Sequence, residues 1–195
     1  FLHNQLLNAY KTKCTSGDWC NGPNDGYFLQ QICYHLIESD RLNECVDLLC
    51  NLDFIQAKSA AKLTYDLVED YNNTLEIIPE NQENIQKEKA RQVRMDKYIR
   101  DLIACAKGEI SRFELEVPES ITPRTKEQIN AEIERIKTNP NRGDRLRDFS
   151  NFLGQEAGNL QNYANEFSHF ATQQAWNYAN GGPVGKAAET GTPEK

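Results

Sequence analysis

The feature that most constrains the fold is a run of apolar residues, spaced three and four apart, over about twenty residues of the C-terminal half. The run consists of Leu146, Phe149, Leu153, Ala157, Leu160, Ala164 and Phe167. An α-helix turns once in about 3.6 residues, so this spacing places the apolar side chains on one face. Similar spacing recurs along the chain, whereas strand-like alternation is confined to residues 113–117. The sequence predicts an all-α fold of stacked helical hairpins, arranged as a right-handed solenoid-like stack or as an irregular helical bundle.

Glycine, proline and short polar residues predict where the helices begin and end. Predicted helices cover about 1–13, 25–39, 41–51, 55–61, 64–71, 83–106, 125–138, 144 to about 167, and about 167–178. Asp25 is the expected N-cap of the second helix, and Ser39 or Asp40 that of the third. Because only one or two residues join these two helices, they are expected to pack as a hairpin.

Composition predicts three regions of the chain. We expect a helical hairpin domain over 1–108, a second helical part over 109–179 that packs on the first, and a flexible linker or tail over 180–195. The first boundary falls in an irregular stretch with two prolines, and the tail is rich in glycine and polar residues. Gly154 and Gly158 interrupt the apolar helix of the second part, where they predict a bend or a close helix contact.

The charge balance restricts the classes of partner. The net charge of −7 and the pI near 5.1 argue against a nucleic-acid binder. No apolar run approaches the ~18 residues of a membrane span, and the first residues do not have the charged-then-apolar pattern of a leader. We therefore expect a cytoplasmic protein without nucleic-acid or membrane partners. The chain starts at Phe1 and its only methionine is Met95, so we also expect a piece of a longer polypeptide.

The segment CYHLIESDRLNECVDLLC, residues 33–50, has the composition of a reactive site but not the geometry. On a helix, Cys33 and His35 are about 160° apart around the axis, so they cannot share a metal ion. Cys45 and Cys50 are about 140° apart by the same reasoning. Apolar neighbours surround these thiols, and we expect them, together with Cys105, to be reduced and buried as small hydrophobic side chains. We expect no catalytic, metal-binding or cofactor-binding residue in the chain.

A minor alternative is a helical enzyme that uses a cysteine thiol or a metal ion for catalysis. A zinc site from Cys14, Cys20 and His3, or a cysteine paired with His169, requires contacts that only tertiary folding creates. Residues 181–187, GGPVGKA, fall short of a phosphate-binding loop, because the first glycine is one residue too close and no hydroxyl follows Lys186. Residues 142–144 spell the adhesion tripeptide RGD, for which a simple turn is the plainer interpretation.

Two sets of residues are candidates for a protein interface. Lys87, Arg91 and Arg94 belong to a cationic cluster on the long helix, and they either form a solvated, ion-paired face or dock an acidic partner. Trp19 and Trp176 are candidate exposed anchors, with ordinary packing as the plainer alternative.

The stretch DGYFLQQICYHLIESDRLNECVDLLCNLDFIQAK, residues 25–58, resembles the helical segment after the winged-helix domain in the apoptotic protease-activating factor and its bacterial NB-ARC/WD-repeat relatives. The similarity lies in a Tyr-His-Leu pattern at residues 34–36, a short turn, a Leu-rich helix, and Leu-Asp-Phe-Ile-Gln-Ala-Lys at residues 52–58. The opening LHNQLLNAYKTKC also resembles the helix that leaves the winged-helix domain. The resemblance is specific over about residues 2–71 and weaker near residues 142–153 and 173–184.

The resemblance implies a non-catalytic helical linker in a STAND-type (NB-ARC) signalling NTPase. Its partners would be the nucleotide-binding and winged-helix domains and the C-terminal WD-repeat sensor of the same polypeptide, and ATP or ADP would bind elsewhere in the parent. The resemblance also implies a bacterial regulator of the apoptotic type that acts in signal transduction. Hinges would lie in the loop 15–24 and in the tail from residue 180. The alternative is a free-standing helical adaptor for protein–protein interaction.

Overall fold

A computed structural model describes residues 2–111, 115, 117–118, 125–178 and 181–191 of the chain. All regular structure in these residues is helical, which confirms the all-α prediction. Ten α-helices are described: α1 Leu2–Lys11, α2 Phe28–Glu38, α3 Leu42–Leu49, α4 Leu52–Ala60, α5 Thr64–Ile77, α6 Pro79–Ala106, α7 Lys126–Thr138, α8 Arg142–Tyr163, α9 Phe170–Tyr178 and α10 Gly182–Thr190. Two short 3-10 turns, Thr15–Gly17 and Trp19–Asn21, lie between α1 and α2. The strand-like residues 113–117 lie largely outside the described part.

The chain divides into two compact units. The core unit consists of Phe1–Ile78 and Arg135–Lys195, and the α6 unit consists of Pro79–Glu134. This division differs from the boundary expected after residue 108, because α8, α9 and α10 contribute to the same buried core as α1 to α5. The described residues of α6 contribute no buried side chain.

The α2–α3 hairpin has the short connection that the sequence predicts. The expected N-cap Asp25 is wrong, because α2 begins at Phe28 with Tyr27 as its N-cap. The Asp25 carboxylate still accepts hydrogen bonds from the backbone N–H groups of Tyr27 and Phe28, at 3.0 and 2.8 Å, and so orders the turn before the helix. The turn passes through Asp40 at φ 57°, and the next N–H donates back to the Leu36 carbonyl. The expected cap from Ser39 or Asp40 is wrong, since α3 begins without a side-chain cap.

A single hydrophobic core runs through the core unit. Its largest fully buried side chains include Phe28, Phe54, Tyr71, Phe149 and Phe152. Each contributes roughly 1.5–3 kcal/mol by leaving water. Helices distant in sequence pack together, α5 on α8 and α4 on α9. The core unit is therefore an irregular helical bundle rather than a stack of successive hairpins.

The first turn of α8 contains the RGD sequence. The Asn141 side chain and the Asp144 carboxylate cap each other's backbone N–H groups. Asp144 is 5% exposed and also pairs with Arg135 at 2.8 Å. The tripeptide is thus the start of a helix and not a turn, and its carboxylate is occupied within the fold. At Gly154 and Gly158 an added Cβ would meet no neighbouring atom within 4 Å, so the expected close helix contact is wrong.

The expectation of a flexible tail is wrong for Gly182–Thr190, which forms α10. Gly181 and Gly182 adopt positive φ angles of 92° and 75°, and Pro183 occupies the first turn of the helix. These residues suggested a linker, but proline is also favoured at the start of a helix. Val184 is fully buried, and its N–H donates to the Asp148 carboxylate at 3.0 Å. In the described part of the chain, no helix is both long enough and apolar enough to cross a bilayer.

Candidate functional site

The cysteines of the α2–α3 hairpin are core side chains. Cys33 and Cys45 are 1% and 0% exposed, and the Cys45 sulfur lies 3.7 Å from the Thr74 hydroxyl. A hydrogen bond with Cys45, together with burial, raises the pKa of Cys33 well above its usual value. Burial raises the pKa of Cys50 to about 12. Since a thiolate is the reactive form, Cys33 and Cys50 are protonated and unreactive at neutral pH.

All six cysteines are free thiols. Cys14 is also buried, whereas Cys20 and Cys105 are only partly covered. The expected burial of Cys105 is wrong, because α6 has no buried residue in the described part of the chain. Among the described residues, no three Cys, His, Asp or Glu side chains are grouped to hold a metal ion.

His35, the histidine of the Tyr-His-Leu pattern, lies under α1. Its Nδ1 is 2.7 Å from Nδ1 of His3, and its Nε2 is 2.8 Å from the Tyr27 hydroxyl. The side chain is 7% exposed, more buried than the hairpin pattern alone indicates. Burial and the neighbouring His3 lower the pKa of His35. The structure thus gives His3 a histidine partner rather than the cysteines of the zinc alternative.

The Leu-Asp-Phe-Ile-Gln-Ala-Lys motif builds α4 and ties it to both halves of the core unit. Lys58 is fully buried and forms an ion pair with Asp70 of α5. Burial raises the pKa of Asp70, while Lys58 and a hydrogen bond with Cys33 oppose that rise. Sequence analysis missed this pair, since lysine at the end of a short helix usually faces solvent.

Gln56 of the same motif holds the connection between α8 and α9. Its amide nitrogen donates to the carbonyls of Ala164 and Phe167, at 2.6 and 3.0 Å. Its amide oxygen accepts from the Ala171 N–H at 2.8 Å. One side chain therefore satisfies three backbone groups around the turn. Nothing in the sequence pattern distinguishes Gln56 from an exposed helical glutamine.

Trp19 is a buried side chain, which agrees with ordinary packing and not with the alternative of an exposed anchor. Its side chain is 6% exposed, and its indole N–H donates to Glu44 at 2.8 Å. The Lys11 ammonium lies 4.0 Å from the centre of the indole. Trp19 borders an open cavity of about 300 Å³ that Asp18, Asp47 and other residues also line. A loop held at its middle in this way is poorly suited to be the hinge expected over 15–24.

The other predicted interface residues are exposed and belong to different units of the chain. Trp176 is 42% exposed on α9 in the core unit. Lys87, Arg91 and Arg94 lie on the exposed surface of α6. Lys87 pairs with Glu83, and Arg91 pairs with Glu88, both at 3.5 Å. These pairs agree with a solvated, ion-paired face, and the docking of a partner here stays a prediction.

Residues 181–187 do not have the arrangement of a phosphate-binding loop. Only Gly181 precedes the short helix α10, whereas Gly182 and Gly185 lie within it. The Lys186 ammonium donates to the backbone carbonyl of Lys137 at 2.5 Å. Such a loop would aim its lysine at a phosphate instead.

Comparison with known protein families decides the affiliation of the chain. The sequence model of one family, the APAF-1 helical domain, matches residues 1–99. The chain belongs to the APAF-1 helical domain family. No curated protein and no solved structure matches it.

The APAF-1 helical domain match ends within α6, before the second segment of the core unit. It covers α1 to α5, including the Tyr-His-Leu and Leu-Asp-Phe-Ile-Gln-Ala-Lys patterns. Polar bonds join this matched segment to α8: Arg142 donates to Asn43 at 2.7 Å, and Arg145 pairs with Asp47 at 2.9 Å. In the core unit, helices outside the match thus complete the packing of the family segment.

Proposed function

We propose that the chain is a non-catalytic helical connector of a bacterial, cytoplasmic STAND-type signalling NTPase, and that it couples an upstream nucleotide-binding switch to a downstream WD-repeat sensor. Membership of the APAF-1 helical domain family carries the proposal. In it, the partners are the nucleotide-binding, winged-helix and WD-repeat domains of the same polypeptide, and ATP or ADP binds in the switch. The protonated, buried thiols of the hairpin support a non-catalytic role for this part of the polypeptide.

The packing of the core unit suits a connector. Leu7 of α1 and Val184 and Ala188 of α10 are all fully buried in the same hydrophobic core. Packed cores are dense and compress little, so a force applied to one packed helix moves its neighbours with it. A movement of a sensor attached beyond α10 would reach a switch attached before α1 through this core.

The gene on both sides of residues 1–195 provides the first test. The proposal expects a G-x-x-x-x-G-K-[ST] motif and a winged-helix pattern upstream. Downstream it expects propeller repeats of about 40 residues. An initiator methionine directly before Phe1 and a stop codon directly after Lys195 would contradict it.

Coupling in the parent protein provides the second test. We expect Val184→Asp to place a charge in the core, detach α10, and abolish the response of nucleotide hydrolysis to the sensed signal while basal hydrolysis persists. Tyr65→Ser, at a side chain that is 65% exposed, is the control and should leave the response intact. An unchanged response in Val184→Asp would show that the signal does not pass through this core.

One observation favours the alternative of a free-standing adaptor. Val93, Ile99 and Ile103 of α6 are 66%, 48% and 51% exposed, an unusual amount of apolar surface for one helix. If the gene encodes only this chain, α6 becomes the first place to look for a partner. Substituting Ile99 and Ile103 by serine should then abolish partner capture without changing the stability of the core unit.

A further inference from the structure

Two imidazoles share a single hydrogen bond where α1 meets α2. Nδ1 of His3 and Nδ1 of His35 are 2.7 Å apart, and the ring centres are 4.9 Å apart. At this distance one nitrogen must carry the proton and the other must offer its lone pair. On its far side, His35 bonds the Tyr27 hydroxyl through Nε2 at 2.8 Å.

We propose that the His3–His35 pair is a proton-operated latch, which holds the first turn of α1 on α2 until both imidazoles are protonated and then releases it. The proposal goes beyond the connector role and does not depend on it.

The hydrogen-bonding capacity of imidazole explains why the second proton opens the latch. In the neutral pair, one Nδ1–H donates to the other Nδ1. After one protonation, the charged ring donates from Nδ1, and the neutral ring still accepts if its own proton is on Nε2. After two protonations, both Nδ1 atoms carry protons, so two donors and two positive charges face each other without an acceptor. The Tyr27 hydroxyl both donates and accepts, and it tolerates every one of these states.

The groups around the two rings do not stabilise a doubly charged pair. On α2, Tyr34 contacts the His3 ring edge-on, with ring centres 5.5 Å apart, and Glu38 follows His35 one turn later with its side chain exposed. Before α2, the Asp25 carboxylate is engaged by the Tyr10 hydroxyl at 2.8 Å.

The other helices packed on α2 also direct their charges elsewhere. On α3, Glu44 pairs with Arg41 at 2.6 Å, and on α5, Asp70 pairs with Lys58. Asp66 and Glu69 of α5 line a surface pocket with Tyr34 of α2, and the hydrogen bonds of the two imidazoles are to each other and to Tyr27. Burial and His3 are the causes that lower the pKa of His35. The folded contact therefore favours neutral His35: its stabilisation is present above about pH 6.5, the usual imidazole pKa, and is lost as the pH falls through the lowered value.

The latch controls only the first turn of α1. Leu2 is 75% exposed, and the next two positions after His3 are exposed as well. From Leu7 onwards the helix has its own anchors, since Leu7 is fully buried and the Tyr10 ring lies 5.2 Å from that of Phe28. When the latch opens, the helix should fray up to Leu7 and remain attached beyond it.

NMR of the labelled 195-residue chain tests the latch. Cα shifts of residues 2–6 report helicity of the first turn, and imidazole C–H shifts report protonation, from about pH 7.5 to about pH 5, the range in which histidine titrates. We expect the wild type to lose helical shifts over residues 2–6 together with the second protonation. Shifts of Leu7 and Phe28 should stay constant and show that the fold is intact.

Three variants separate the latch from general acid effects. In His3→Asn the amide donates to neutral His35 or accepts from charged His35, so the first turn should stay helical throughout. In His3→Ala it should be frayed already at the upper pH. His169→Asn removes the third histidine, at an exposed position with φ 60° that asparagine accepts, and should behave as wild type. A wild-type first turn that stays helical after both protonations, or a His3→Asn variant that frays with the same pH dependence, would overturn the proposal.

Discussion

Gly22 leaves space that the Phe28 ring occupies. A Cβ at this position would lie 2.0 Å from the ring, and Phe28 is a fully buried core side chain. Because the core cannot absorb such an overlap, we expect Gly22→Ala to lower the free energy of unfolding by about 1–3 kcal/mol. The measurement is urea denaturation followed by circular dichroism.

Gly154→Ala is the matched control for Gly22→Ala. It adds the same methyl group to an exposed position of α8 that has no neighbouring atom within 4 Å. Since glycine is a poor helix former, this variant should gain roughly 0.5–1 kcal/mol. A loss of stability in both variants would show that α8 tolerates no change at Gly154 and would argue against the packing described for it.

The Lys58–Asp70 pair should behave as a buried ion pair. Lys58→Met leaves the Asp70 carboxylate without its counter-charge, and we expect a loss of about 3–5 kcal/mol. Adding Asp70→Leu should recover most of the lost stability, because two apolar side chains leave no buried charge without a counter-charge. Arg145→Met, which breaks the exposed pair with Asp47, should cost less than about 1 kcal/mol in the same denaturation experiment. Equal effects for Lys58→Met and Arg145→Met would contradict the burial of Lys58.

The buried thiols predict a loss of stability at alkaline pH. Burial raises the pKa of Cys50 from the usual 9.0 to about 12, so the folded state keeps the proton that the unfolded state releases. Stability from this group is complete below about pH 9 and falls as the pH rises further, by about 1.4 kcal/mol per pH unit. Unfolding midpoints measured from about pH 7.5 to about pH 10 should show the fall. Cys50→Ala removes the titrating group and should flatten this slope.

At the scale of residues, the sequence predicted whether a side chain is buried better than it predicted which side chain it bonds to. Apolar neighbours at helical spacing were enough to predict that Cys33, Cys45 and Cys50 are core thiols. The partners of His3 and Lys58 lie 32 and 12 residues away along the chain. Which of many polar side chains meets another depends on how whole helices pack, and one sequence does not contain that information locally.

At the scale of elements, the α8–α9 connection depends on one side chain from another helix. Gln56→Leu keeps the size of that side chain but leaves the Ala171 N–H and the Ala164 carbonyl without their partner. We expect amide exchange at residues 171–173 to accelerate by about tenfold to a hundredfold, corresponding to the roughly 1–3 kcal/mol of an unsatisfied buried group. Gln155→Leu, at an exposed position of α8, is the control and should leave exchange at these residues unchanged.

Helix positions were predictable where both periodicity and a strong terminator are present. The end of α6 is such a case: the predicted helix and α6 both end at residue 106, just before Gly108. The ends next to Ile78 and Pro79 were missed by several residues, since α5 continues to Ile77 and α6 begins at Pro79. The missed helix α10 shows the limit. Its glycines and proline have the composition of a linker, and its helical state is stabilised by burial of Val184 and Ala188 in the core. Tertiary packing outweighed local composition here.

At the scale of the whole molecule, the core unit is assembled from two separate segments. We predict that residues 1–111 alone, without α8 to α10, fail to unfold cooperatively, because α5 loses α8, the helix on which it packs. A chain in which a Gly/Ser linker replaces residues 79–134 should keep a cooperative transition. Thermal unfolding of the two shortened chains, followed by circular dichroism, makes the comparison. Cooperative unfolding of residues 1–111 would contradict the two-segment core.

The sequence predicted the all-α class and the family segment but not this discontinuous assembly. The class follows from periodicity, which is local. The packing of α5 on α8 joins residues that the chain separates by all of α6 and α7. Contacts of such long sequence separation leave no periodic signal. The boundary expected after residue 108 therefore coincides with neither observed boundary, which lie after Ile78 and after Glu134.

Because the core unit consists of two separated segments, its two halves are synthesised at different times. The ribosome synthesises α4 and α5 first, then the whole α6 unit, and only afterwards the helices that cover them. At about 5–20 residues per second, residues 79–134 delay that cover by roughly 3 to 11 seconds. During this interval the apolar faces of α4 and α5 are exposed on the nascent chain, where chaperones bind and where neighbouring chains aggregate.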